Sequence, residues 1–246
     1  MESGGSMFLN IQRAIDEEAK LAELPPGSIH LLSRPEGRPF IRMMMSAMKQ
    51  ELVAENGQES SEIPYQLELL WWQKFYRDHF NINLDITKIK VPEKPAGDFW
   101  LVVMAQGVSL MMIVAKCREL FPFWVWTDKD LDQITEHDRD ANKTGSYAVW
   151  FRACIEADKE FKNLSANQIK TMGIKGITLP ERLVLEIKHF LKTGQRLDMK
   201  YITLCTGSRY DGGGVPGVYS SVVGGVCVDE FSSGYSDGLL RVRQQL

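Results

Sequence analysis

Between Gly207 and Leu246 lie nine of the chain's 20 glycines, among Ser, Val, Tyr and Asp and without any Lys, Met, Trp or Asn. A glycine inside a helix costs about 1 kcal/mol relative to alanine, so this stretch excludes long helices. Short strand-like pieces, Val215 to Tyr219, Val226 to Phe231 and Leu239 to Val242, alternate with Gly and Ser turns and predict a loop-rich β meander. Strand alternation then turns Val226 and Val228 toward the core and Cys227 and Asp229 outward, while a core-facing Val218 leaves Gly217 and Tyr219 outside. Small and polar residues with scattered tyrosine, held on a rigid frame, make an adaptable recognition surface. Tyrosine adds contact area there with little rotamer entropy to lose.

The chain before this tail has a different texture. Residues 1–6 read as a linker or tag remnant, and helices are expected over Phe8 to Leu24, Phe40 to Glu55 (with Met43, Met44, Met45 and Met48) and from Ser60 through Phe80. Pro92 and Pro95 among charges mark 82–97 as a linker, so 7–97 is expected to be a helical N-terminal segment and 98–246 a separate domain. In that domain Phe99 to Ala105, Phe123 to Trp126, Tyr147 to Ala153 and Tyr201 to Cys205 read as strands and Val108 to Leu120 as a helix. An acidic loop is expected over Thr127 to Gly145. The strongest helical signal runs from a Thr178 cap through Pro180 and Glu181 to Gly194. The class is α+β.

At 246 residues and a formal net charge of -3, the chain has room for a self-sufficient core and lacks the clustered Lys and Arg that bind phosphate backbones, so no nucleic-acid partner is expected. Its six tryptophans have no interleaved cations of the kind that build single-strand stacking platforms, and they read as core. No apolar run approaches the roughly 20 residues that span a bilayer, and no secretion signal is readable, which makes the cytoplasm the default address. Cys117, Cys154, Cys205 and Cys227 show no zinc-site spacing and read as buried free thiols.

Three chemistries are weighed against this background. Asp128, Asp130 and Asp132 open a calcium-loop pattern that then fails at Gln133, where a turn glycine is needed, and at Arg139, where a bidentate acid is needed. Cys154 with His137 or His189 is the nucleophile and base pairing the sequence offers, and a cysteine-dependent enzyme is the main alternative function. Gly212, Gly213 and Gly214 lack the Lys and hydroxyl of a phosphate loop. A structural assembly subunit driven by the Met-rich and aromatic helices, hence a homo-oligomer, is a further alternative. No catalytic residue, metal or cofactor is assigned.

Gly176 to Arg182, Lys192-Thr193-Gly194, Thr203 to Tyr210, Val215-Pro216 and Leu240 to Arg243 resemble a group of bacterial proteins with hypervariable C-termini, the variable products of diversity-generating retroelements. The resemblance covers roughly 98–246 and implies a C-type-lectin-like fold ending in a variable region, about 207–246. It implies a non-catalytic receptor or display protein for a protein or other macromolecular ligand. Such elements randomise adenines, and an AAC codon altered at its first two positions never yields Lys, Glu, Gln, Met or Trp; between Asp211 and Gly238 only Glu230 departs from that exclusion. The resemblance also leads one to expect tryptophans near Ser220 and Glu230, which this chain lacks. The ligand face is expected to comprise Asp211, Gly212, Gly213, Gly217, Tyr219, Ser221, Val223, Gly225, Cys227, Asp229, Ser232, Tyr235 and Asp237. Tyr219 and Tyr235 would anchor contacts, Asp229 and Asp237 would select, and Val226, Val228, Leu240 and the 178–194 helix would hold the frame.

Overall fold

The 178–194 helix is the hub of the architecture. Thr178 accepts the Glu181 amide while the Glu181 carboxylate takes the Thr178 amide, a reciprocal cap that fixes the start of α6 (Leu179–Thr193), and Gly194 ends it in the left-handed region at φ 72°. Its first eleven residues are buried, charged ones included. The computed structural model describes residues 62–221 and 225–246, and there the chain is mixed α+β. The helices expected over 8–24 and 40–55 and the remnant 1–6 lie outside the described residues.

Before α6 the order is α1 (Glu62–Phe80), β1 (Phe99–Met104), α2 (Leu110–Leu120), β2 (Phe123–Val125), α3 (Leu131–Ile134), β3 (Thr135–His137), α4 (Ala141–Thr144), β4 (Tyr147–Arg152) and α5 (Ala166–Thr171). After it come β5 (Ile202–Leu204), β6 (Ser208–Tyr210), β7 (Val215–Ser221), β8 (Gly225–Phe231) and β9 (Leu240–Arg241). β1 pairs antiparallel with β4, β3 with β6, and the main sheet runs β2-β8-β7-β5-β9. The β7–β8 hairpin is antiparallel, but β2 joins β8 and β9 joins β5 in parallel. The tail is therefore not a plain meander: distant β2 closes the β8 flank, and β5 stands between the tail's own β7 and β9.

The division expected at 97/98 is not where the chain separates. Residues Glu68–Leu246 form one compact unit; of the unit before it, Met1–Leu67, only the start of α1 is described. The reason is the aromatic face of α1. Trp72, Phe75 and Tyr76 are buried, the Trp72 indole donates to the Leu101 carbonyl at 3.2 Å, and the Tyr76 hydroxyl donates to Val103 at 2.6 Å, so two polar handles dock the helix on β1. Nor is 82–97 a free linker. Leu84, Ile86 and Ile89 are buried, and the Trp150 indole donates to the Pro92 carbonyl at 2.9 Å.

The acidic loop is ordered by its own carboxylates. Asp130 caps α3, Asp140 caps α4, and the Asp132 carboxylate accepts the Leu110 and Met111 amides at the start of α2. Arg139, in the place a calcium ligand would need, forks onto Glu181 at 2.7 and 2.8 Å. Among the described residues no group of three or more His, Cys, Asp or Glu could hold a metal ion, and no helix is long and apolar enough to cross a membrane. Of the four free thiols, Cys117 and Cys205 are buried, but Cys154 is exposed and Cys227 half-buried. That corrects the expectation of four buried thiols: Cys154 follows the end of β4 and Cys227 alternates outward.

Candidate functional site

β7 and β8 divide their side chains as period-two alternation requires. Val218, Val226 and Val228 are fully buried, whereas Tyr219, Cys227 and Asp229 are half-buried on the opposite face. Register sets Tyr219 directly across from Cys227 and Gly217 across from Asp229, and the Tyr219 hydroxyl donates to Asp229 Oδ2 at 3.0 Å. Phe231 continues this face, and the Tyr235 ring stacks on it with centroids 6.2 Å apart and planes 19° off parallel. The Tyr235 hydroxyl then reaches Asp237 at 3.4 Å, and Asp237 also accepts the Leu239 amide at 2.7 Å. Tyr219, Asp229, Tyr235 and Asp237 thus follow one another along a single accessible strip, with Ser232 exposed in its final turn.

The parallel neighbour adds a residue that sequence reading assigned to the core. β2 places Trp124 beside Cys227, so the indole shares the open face, and it is 49% exposed. Tyr235 is 47% exposed. Nothing local to Trp124 announces this, because the pairing spans a hundred residues. The other end of the same sheet face is closed. Leu204 and Val215 are covered there by Phe161, Ala166 and Ile169, with Leu164, Ile174 and Phe231 packed around them.

Several expected positions fall elsewhere. Gly217 is buried, not exposed: the Phe231 ring lies over it, and a Cβ at 217 would sit 2.4 Å from that ring. Gly225 is also buried, at φ +78°, with the Pro122 carbonyl oxygen 1.9 Å from where a Cβ would stand; that oxygen accepts the Val226 amide and starts the β2·β8 ladder. Asp211, Gly212 and Gly213 are exposed but belong to the β6–β7 turn, bonded back to Ile134 and Tyr210. Ser221 is half-buried opposite Gly225, and Val223 lies outside the described residues.

Behind the strip the frame is ionic as well as apolar. Asp198, fully buried, accepts Arg182 Nε at 2.9 Å, Arg243 Nη2 at 2.8 Å, the Ala157 amide at 2.9 Å and the Thr203 hydroxyl. Arg182 Nη2 comes to 2.8 Å of the same carboxylate as an ion contact without hydrogen-bond geometry, and Arg182 Nη1 bonds Glu186 at 2.7 Å. Burial alone would raise the Asp198 carboxyl, but Arg243 and Arg182 outweigh it and hold the group below its usual range. The Asp198 carbonyl takes the Ser220 amide at 2.9 Å, so α6, β5, the last residues of the chain and β7 are tied at one point under the strip.

On the strip, burial and then the adjacent Asp229 carboxylate push the Tyr219 phenol up. Burial also raises the Cys227 thiol, although the Tyr219 hydroxyl works the other way. Both groups are neutral near pH 7, which suits contact and not nucleophilic attack. The residues of the enzymatic alternative sit elsewhere. His137 Nδ1 is 2.8 Å from Ser208 Oγ, and the ring lines a cavity of about 150 Å³ with Thr135, Arg139, Asn142 and Tyr147; Cys154 does not line it. Burial lowers His137, opposed by Asp140 and Glu181. His189 lies with its ring 5.4 Å from that of Trp100. The chain matches no family model, none of the curated proteins and no solved structure.

Proposed function

We propose that this chain is a non-catalytic ligand-binding protein, a receptor or display molecule whose C-terminal face is diversified by a bacterial retroelement, and that its α+β unit is a C-type-lectin-like domain. The observation that carries the reading is the open strip of Trp124, Tyr219, Cys227, Asp229 and Tyr235, joined by Phe231 to the buried cluster at its closed end, over a frame of buried valines and buried ion pairs. Side chains on such a strip can change without altering what lies beneath, and that separation is what a diversified surface requires. Aromatic rings and carboxylates on the strands, as Trp124, Tyr219 and Asp229 are, bind with little ordering cost, and Tyr235 and Asp237 extend them from the turn after β8. The sheet-closing strand β9, which brings the chain end back beside β5, gives the hypervariable segment a fixed boundary on its far side.

The origin of the diversity is tested in the flanking DNA. The reading requires a near-copy of the stretch encoding 207–246 that differs mainly at adenines, next to a reverse transcriptase gene. A flank without such a copy removes the retroelement from the account and leaves an ordinary binding protein. Binding itself is tested by panning a library randomised at 219, 227, 229, 232, 235 and 237 against unrelated protein targets. Selection of folded binders supports a display surface, and failure on every target while the library remains folded contradicts it.

A further inference from the structure

The proposed binding reading leaves open what kind of partner this copy of the strip accepts, and its charges are one-sided. The strip itself carries the carboxylates Asp229 and Asp237; from Tyr210 to Leu240 the chain adds Asp211, in the β6–β7 turn, and Glu230, on the opposite face of β8, and no Lys, Arg or His. Among the described residues none of the four has an ion-pair partner; Asp229 accepts only the Tyr219 hydroxyl, and Asp237 only the Tyr235 hydroxyl and a backbone amide. Other aromatic rings of the same unit are capped by the chain's own cations. Arg241 lies 3.3 Å over Tyr201, Arg196 lies over Phe121 and Phe190, and Lys188 and Lys192 lie over Trp71 or Trp72. Among the described residues no cation covers Trp124, Tyr219, Phe231 or Tyr235. Lys162, close to Gly238, leans instead over Tyr201 at 5.9 Å.

From this asymmetry we infer that the strip docks a basic protein segment, one that lays arginine side chains across the open rings and forks them onto Asp229 and Asp237. A guanidinium is planar and weakly hydrated. It can stack on an indole or phenol while its edge donates two hydrogen bonds to a carboxylate, which a lysine ammonium does less well. Face and carboxylate are adjacent here at both ends: Tyr219 beside Asp229, and Tyr235 beside Asp237. The inference rests on the binding reading above and adds the chemistry of the partner.

The test is selection of a random twelve-residue peptide library on the full chain at low salt, followed by binding measurements with the winners. Expected are peptides enriched in arginine. Asp229→Asn with Asp237→Asn, or Trp124→Ala, should weaken them by about tenfold or more, as truncation of a central contact does. Glu119→Gln, a carboxylate on α2, should leave them unchanged, and added salt should weaken them further. Neutral or acidic winners that are lost with Trp124→Ala or Tyr235→Ala overturn the basic partner and leave the binding strip standing. A neutral saccharide captured on an array by the same residues, with no basic peptide enriched, does the same. Basic winners indifferent to every strip variant, or no winner at all, overturn both. Both asparagine replacements keep an acceptor for the Tyr219 hydroxyl and the Leu239 amide, so loss of fold does not imitate loss of charge.

Discussion

Replacing Asp198 by asparagine keeps the shape of a fully buried side chain and removes its charge. The position suits the replacement: residue 198 has φ 53°, in the left-handed region that Asp and Asn tolerate better than other non-glycine residues. What remains is two buried guanidiniums: Arg182 keeps Glu186 as a carboxylate partner, Arg243 keeps the Cys154 and Ile155 carbonyls, and an amide NH₂ competes for the space of an acceptor. Removing one partner from a buried ion pair costs about 3 to 5 kcal/mol, because the surviving charge stays desolvated. An effect near 4 kcal/mol would consume much of the roughly 5 to 15 kcal/mol by which domains are stable. The assay is urea unfolding followed by tryptophan fluorescence, with Asp237→Asn as a surface control. The double variant Asp198→Asn with Arg243→Met should lose less than the sum of its parts, since it withdraws one stranded cation. The pH dependence has a definite sign. The folded Asp198 carboxyl lies below its unfolded value of about 3.9, so the stabilisation is complete above that value and fades only as pH falls through the folded one. A loss under about 1 kcal/mol, no larger than the surface control, would refute the claim that this carboxylate pins the frame.

Two further outcomes follow from the same structure. Gly225→Ala should cost about 3 kcal/mol, combining a left-handed alanine with a Cβ driven into the Pro122 carbonyl oxygen, and the loss should appear as easier proteolysis near β2; an unchanged unfolding midpoint would contradict it. Lys188 is held between Glu68, the Leu101 carbonyl and the Trp72 ring, and burial, against the pull of Glu68, draws its ammonium down to about 8. Its folded value lies below the unfolded one, so stability rises with pH between them. Relative to Lys188→Met, the wild type should gain about 1 kcal/mol from pH 7 to pH 9, and a difference that stays flat would remove the shift.

What could be read from sequence was what short segments decide by themselves. Thr178, Pro180, Glu181 and Gly194 carry their own start and stop signals, and the valines at 218, 226 and 228 fix which way their neighbours point. What escaped depends on chain brought from far away. Trp124 reads as core until β8 arrives beside it, and residues 82–97 read as a linker until Trp150 and α1 pack on them. Gly217 alternates outward correctly but is roofed by Phe231 from the facing strand. Charge hid more still: Arg182, Glu186 and Lys188 look like the wet side of an amphipathic helix, but Arg182 is paired with Glu186 and Asp198, and Lys188 with Glu68, and these partners let them be buried.

Saturation mutagenesis of 207–246, scored for protease-resistant folded chain, measures directly whether strip and frame are separable. Nearly any residue should be accepted at Tyr219, Cys227, Asp229, Ser232, Tyr235 and Asp237, whereas Gly217, Val218, Gly225, Val226 and Val228 should tolerate almost none. If Tyr219 and Asp229 prove as restricted as Val226 and Val228, the strip is part of the frame and cannot be a surface built to vary.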